Sequence, residues 1–310
     1  MITDVPGIAV GHWTDTERIT GCTVVLCPPG TVASCDVRGS SPGTRELEAL
    51  SPVRQMQETH AVLLSGGSAY GLGAANGVMQ YLAERKIGYS TPWALVPIVP
   101  SAIIFDLNVG DPTAFPQPAD AAAACASAGK LVAEGSVGAG TGAVVGKWNG
   151  FVNAMKGGVG TASLRDGELV VGALAVVNAV GDVVDADGSV IAGARTGSGF
   201  LTAEERLRRF NDDRLLTRNT NTTLVVVAVN ARFNKVDTHR IAQRAHDGMA
   251  RAIVPCHTTF DGDVSFALSC GTVTAAVDHA AEMGAEAVAR AIRSAVRHAG
   301  SLGGVPGLAK

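Results

Sequence analysis

The sequence predicts an α+β fold in which helices pack on one or two β-sheets. Three observations carry that expectation. Runs of β-branched and apolar residues end in Gly, Pro or Asp-Gly turns, Ala-rich stretches fall at helical spacing, and the segments come in a mixed order: strands, helices, strands, a polar linker, then strand, helix, strand, helix. The 310 residues, 46% hydrophobic and 17% charged, suffice for one large core or two modest ones.

The elements follow in order. Residues 21–33 (GCTVVLCPPGTVA) and 61–64 read as short strands punctuated by Pro-Pro-Gly and Gly-Gly. After a glycine hinge, SAYGLGAANGVMQYLAERK sets Leu72, Ala75, Val78, Met79 and Leu82 on one helical face. An Ala-rich run from Asp120 to Glu134 predicts a second helix, followed by the glycine-dense GSVGAGTGAVVGKWNG. GELVVGALAVVNAVGDVVDADGSVIAG then reads as strands and hairpins, with Asp187-Gly188 as a turn pair. Thr202 and Glu205 form a capping-box pattern that opens a short helix, and the polar residues after it read as an exposed linker. TTLVVVAVN enters abruptly as a buried strand, Leu224 to Val229, without a turn glycine. Downstream, Asp237 is expected to cap a helix carrying Ile241, Ala245, Met249 and Ile253. A strand from Val264 to Ser269 and an Ala-rich helix from about Val273 to His298 close the chain. The sequence shows no tandem repeat.

Composition narrows the function classes. A net charge of -3 gives no basic field for nucleic acid or anionic lipid, so a small molecule or peptide is the expected partner. The six cysteines lack CxxC spacing and are expected to be reduced thiols. The longest apolar stretch, near Leu95 to Ile104, is broken by Pro97 and Pro100 and is too short for a membrane span. The N-terminus lacks a basic region followed by an apolar one, and a cytoplasmic location is expected.

Several residues could carry chemistry. A threonine hydroxyl is a weak nucleophile, but at a chain N-terminus its own α-amine, with a pKa of about 7.7 to 8.0, can act as base. Thr222, after Asn221, stands where the polar linker meets a rigid strand and could be exposed by a self-cut; by residue type alone Thr220 and Thr223 are equally available. Asp261-Gly262-Asp263 could orient a nucleophile, bind a cation or form an Asx turn. GAGTGA (138–143) resembles a phosphate loop but lacks the Walker lysine and hydroxyl residue. Lys147 reads as either a surface lysine or an active-site cation. Asn178 either closes a turn or donates to an oxyanion. The pair Cys256-His257 is a poor cysteine-hydrolase candidate, since adjacent residues rarely bring thiolate and imidazole together.

Taken in order, VRGSSPGTRE, LSGGSAYGL, GKWNG, VVNAVGDVVD, NTTLVVVAVN and HTTFDGDVSFAL resemble the DmpA-type aminopeptidase family and its relative, the nylon-oligomer endohydrolase. The similarity runs from about Pro6 to the final helix. It implies a four-layer αββα sandwich like that of N-terminal-nucleophile hydrolases, and one domain over 1–310 that cuts itself between Asn221 and Thr222 into an α subunit (1–221) and a β subunit (222–310). It also implies Thr222 as nucleophile, Asp261 and Asp263 as supporting acids, Lys147 as the family's lysine, Asn178 as the asparagine near the nucleophile, and a substrate site lined by Tyr70 and Phe105. Phe105 stands where the nylon hydrolase has a tyrosine. The serine-nucleophile members carry a different pair where DGD stands, so the threonine branch is the nearer one. Amide hydrolysis of small peptides, amino-acid amides or amide oligomers follows, with no cofactor or metal, and a homo-oligomer of cleaved units, tetramer or larger. The rival readings are a self-cleaving acyltransferase resembling ornithine acetyltransferase, a nucleotide-binding protein that hydrolyses nothing, and a pseudoenzyme that never matures.

Overall fold

The computed structural model describes residues 1–209 and 220–310. The linker expected after the Thr202 helix falls largely on residues 210–219, outside the described residues.

Ten strands build two five-stranded sheets: β1 (Ala9–Asp15), β2 (Thr20–Leu26), β3 (Val32–Val37), β4 (Thr44–Arg45), β5 (Ala61–Ser65), β6 (Ser101–Ile103), β7 (Gly158–Asp166), β8 (Leu169–Asn178), β9 (Thr222–Ala231) and β10 (Val264–Val273). The first sheet runs β1-β2-β5-β6-β4 and the second β7-β8-β9-β10-β3. Both repeat one pattern of strand senses: antiparallel, antiparallel, parallel, antiparallel. Each parallel pair is joined by a crossover containing a helix, α1 (Ala75–Glu84) in the first sheet and α4 (Lys235–Ala252) in the second. A second helix follows each pair, α2 (Pro118–Ala126) and α5 (Val277–Arg297).

The layers explain the sequence pattern. Val225, Val227 and Val229 of β9 face a cluster with Ile241 and Met249 of α4 and Val288 and Ile292 of α5. Their neighbours Leu224, Val226 and Ala228 face the other way, onto Val25, Val62 and Leu64 of the first sheet. A third cluster seats α1 and α2 on the outer face of that sheet through Val24, Leu63, Val78 and Ala124. The order is therefore helix, sheet, sheet, helix, the four-layer αββα sandwich. The central strands β8 and β9 of the second sheet are covered on both faces, so they read as continuous apolar runs rather than alternating ones.

Several element boundaries differ from the sequence reading. The Ala-rich helix ends at Ala126 rather than Glu134, because Gly129 leaves it to exchange backbone hydrogen bonds with Val10. Asn234, not Asp237, caps α4: its side chain accepts the Asp237 N–H at 2.9 Å. Ile253 lies beyond that helix, paired with Val183 in a small sheet. β10 continues to Val273, which delays α5 to Val277. The capping box at Thr202 is present and opens α3 (Ala203–Arg209), with the Thr202 N–H on Glu205 Oε2 at 2.8 Å. Leu201, just before it, packs with Trp148, Val180 and Phe260. Arg206 reaches the fully buried Asp182 at 2.7 Å. No helix among the described residues is long and apolar enough to cross a membrane.

Candidate active site

Three adjacent strands bring the sequence candidates together. Asn178, the last residue of β8, stands opposite Thr222, the first of β9. Across the other edge of β9, Asn221 bridges to Asp261, two residues before Asp263, which directly precedes β10. Register alone therefore lines up Asn178, Thr222 and the DGD turn at one end of the second sheet. Lys147 enters from a 3-10 turn whose backbone N–H is held by the Val180 carbonyl at 3.0 Å.

Lys147 is 1% exposed, which excludes the surface-lysine reading. Its Nζ donates to the Asn178 carbonyl at 3.0 Å, to Asn178 Oδ1 at 2.9 Å and to the Thr220 carbonyl at 3.3 Å. Burial disfavours the charged form and pulls its pKa down to about 7, against the opposing charge of Asp261. Asn178 turns its amide the other way: Nδ2 donates to the carbonyls of Phe105 at 3.0 Å and Thr220 at 3.2 Å, while Oδ1 also accepts the Val144 N–H. Lys147 and Asn178 thus grip the carbonyl that lies one residue before the Asn221–Thr222 bond.

That bond has its own partners. Thr222 Oγ1 donates to the Asn221 carbonyl oxygen at 2.5 Å, and the Gly262 N–H donates to the same oxygen at 2.8 Å. A methyl group on Gly262 would lie 2.5 Å from the Ser41 carbonyl and 2.9 Å from Thr222 Oγ1, so only glycine lets this turn approach the threonine. The flanking acids are buried and fully engaged. Asp261 accepts the Val180 N–H, the Thr258 N–H and the Thr258 hydroxyl. Burial, then the nearby Asp263, pushes its pKa above the usual carboxylate range. Asp263 accepts the Thr223 N–H at 2.6 Å through Oδ1, and the His257 N–H at 3.0 Å through Oδ2. The loop that begins VRGSS covers this turn, with the Arg38 and Gly39 N–H groups on the Asp263 carbonyl and the Ser41 N–H on that of Asp261.

Phe105 joins the site through its backbone carbonyl. Tyr70 is 65% exposed and stacks on Phe115, with ring centroids 5.0 Å apart, making no hydrogen bond to the residues above. The GAGTGA loop is buried at every residue. Methyl groups on Gly140 and Gly142 would meet the Val159 backbone N and the Asp106 side chain at 2.4 Å, so close packing requires these glycines. Three groups escaped the sequence reading: the Gly262 N–H, the His257 ring and a second buried lysine. Lys156 donates to the Thr141 carbonyl at 2.6 Å, and burial, offset by the charge of Asp106, lowers its pKa to about 7. Of these only His257 had a sequence signal, its place in HTTFDGD.

The match to known proteins covers the same residues. The model of peptidase family S58 matches residues 1–309. The chain belongs to peptidase family S58. A protein of Mycobacterium tuberculosis described as an uncharacterized aminopeptidase is 46% identical to this S58 chain over 289 residues, 88% of it and 82% of the relative. A 6-aminohexanoate-oligomer endohydrolase of Paenarthrobacter ureafaciens is 33% identical over 272 residues, 86% and 74% of the two chains. Among solved structures, the L-aminopeptidase D-Ala-esterase/amidase of Ochrobactrum anthropi, described as a variant of the Ntn-hydrolase fold, superposes with a TM-score of 0.75 at 20% identity. It covers 98% of this chain and 88% of its own. A Burkholderia sp. beta-aminopeptidase gives 0.74 at 24% identity, covering 99% and 90%. The S58 chain is thus a peptidase of the amide-hydrolysing kind on an Ntn-hydrolase fold.

Proposed function

We propose that the chain cuts itself between Asn221 and Thr222 and that the freed Thr222 then hydrolyses amide bonds of small peptides, amino-acid amides or amide oligomers. The observation that carries this reading is the pair of donors on the Asn221 carbonyl: the Thr222 hydroxyl at 2.5 Å and the Gly262 N–H at 2.8 Å. The would-be nucleophile and a polarising donor meet at the bond to be cut.

In the first stage Thr222 Oγ gives up its proton and adds to the Asn221 carbonyl carbon, and the negative charge that develops on the oxygen is held by the Gly262 N–H. Lys147, whose lowered pKa leaves a share of it neutral near pH 7, takes up the proton. As the C–N bond breaks, the proton held by Lys147 passes to the departing nitrogen, which leaves Asn221 esterified to Thr222 Oγ and frees the Thr222 amine. Water then hydrolyses the ester and releases the Asn221 carboxylate. In the second stage the free amine serves as base for Thr222 Oγ, an amide substrate acylates that oxygen and expels its amine, and water regenerates the hydroxyl. The oxyanion role expected of Asn178 passes in this scheme to Gly262, and Asn178 with Lys147 binds the carbonyl one residue upstream. No cofactor or metal takes part in these steps.

The 46% relative described as an aminopeptidase and the 33% relative described as an oligomer endohydrolase both support amide hydrolysis. The test compares wild type with Thr222→Ala in release of free amine from amino-acid amides, dipeptides and 6-aminohexanoate oligomers. Loss of activity in the variant, without any added acceptor amine in the wild-type reaction, is expected. Equal activity in both proteins would remove Thr222 from the mechanism, and product formation only with an acceptor amine would favour the acyltransferase.

A further inference from the structure

We infer that His257 is a positioning residue: its ring and backbone N–H together fix one oxygen of Asp263, leaving the other to hold the amide next to the nucleophile. The inference rests on the reading of Thr222 as that nucleophile.

Asp263 Oδ2 lies 2.8 Å from His257 Nδ1 and accepts the His257 backbone N–H at 3.0 Å, while Oδ1 accepts the Thr223 N–H at 2.6 Å. The carboxylate is therefore a clamp whose one arm holds the head of β9 and whose other arm is set by a single residue. With ring and N–H on the same oxygen, His257 adopts φ +56°, a left-handed backbone that is unfavourable for a non-glycine residue. Such a conformation persists where surrounding contacts enforce it, and here the enforcing partner is Asp263.

The surroundings favour the charged form of the histidine. Burial opposes its protonation, but the hydrogen bond and charge of Asp263, with Cys256 alongside, outweigh burial and push its pKa up to about 10. From α4, His246 packs edge-on against it, with ring centroids 4.7 Å apart, and is held neutral by burial and by the charge of His257. From β3, Asp36 lies 3.5 Å from His246 Nε2, and Arg38 pairs with Asp36. Asp261 shares the DGD turn, and its charge reaches Lys147. His257 thus cancels the charge of Asp263 beside the two groups, Asp261 and Lys147, that titrate near the nucleophile.

Removing that cation leaves Asp263 uncompensated, which makes Asp261 harder to ionise and Lys147 harder to deprotonate. The experiment follows self-cleavage of freshly made precursor by intact mass as a function of pH, in wild type, His257→Ala and His257→Asn. Asparagine keeps an N–H donor where Nδ1 stood but carries no charge. Alanine is expected to slow cleavage roughly 10- to 100-fold, the weight of a charge-assisted hydrogen bond. Asparagine is expected to recover part of that rate, with the acid limb of its profile moved to higher pH. A wild-type rate and limb in His257→Asn, or a slower rate with an unmoved limb, overturns the inference. Thr222→Ala run alongside keeps the two readings apart: continued cleavage in that variant defeats the nucleophile assignment whatever His257 does.

Discussion

Replacing Gly262 with alanine adds one methyl group at the point where the account places its polarising donor. The new Cβ would sit 2.5 Å from the Ser41 carbonyl oxygen and 2.9 Å from Thr222 Oγ1. Both atoms are too close for carbon, and Ser41 O is backbone with little freedom to retreat, so the turn must withdraw by several tenths of an ångström. The Gly262 N–H then loses its 2.8 Å contact with the Asn221 carbonyl. Loss of one oxyanion donor costs about 2.7 to 4 kcal/mol, or roughly 10²- to 10³-fold in rate. The assay is the half-time of precursor conversion by intact mass after synthesis is stopped. Gly73→Ala serves as control, since its added methyl group meets nothing within 4 Å. A folded Gly262→Ala protein that matures at the wild-type rate would refute the assignment of this N–H.

Four further outcomes follow from the same geometry. Thr222→Ser should still mature, whereas Thr222→Ala should stay full length, as read on a denaturing gel. Maturation should speed up as pH rises through about 7, where buried Lys147 loses its proton, and a flat profile across neutrality would remove Lys147 as proton acceptor. Lys156 also has its folded pKa lowered to about 7 from an ordinary 10.5, so between those values the unfolded chain binds more protons and folding stability falls as pH is lowered. Lys156→Met should flatten that part of the Tm-against-pH curve, and an unchanged slope would contradict the shift. Arg206→Met strips the fully buried Asp182 of its 2.7 Å partner and should lower stability by about 3 kcal/mol in urea unfolding. A change under about 0.5 kcal/mol would mean the pair is not holding α3.

Helices packed on sheets were legible from the strand and helix patterns, whereas the four-layer order came from the family resemblance. β8 and β9 are apolar on both faces, and the run TTLVVVAVN could only be an interior strand. The repeated strand pattern of the two sheets was not legible, since the same topology is built here from segments with no visible repeat in sequence. Helix ends failed where a distant partner decided them: Gly129 leaves α2 for Val10, and Ile253 leaves α4 for Val183. Within the site, Thr222, Asp261, Asp263, Lys147 and Asn178 were named from motifs, and register explains why they converge. Gly262 was passed over because its contribution is a backbone N–H, which no residue type advertises. His257 was set aside as a partner for its neighbour Cys256, while its actual partner, Asp263, lies six residues on across a turn.

The central claim is that the Asn221–Thr222 bond is broken by its own threonine. N-terminal sequencing of the purified protein, combined with intact mass, tests it most directly. The account predicts two chains, residues 1–221 and 222–310, the second beginning at Thr222, with masses that sum to the full chain plus one water. A single chain of 31.5 kDa that hydrolyses amides without ever being cut would contradict it.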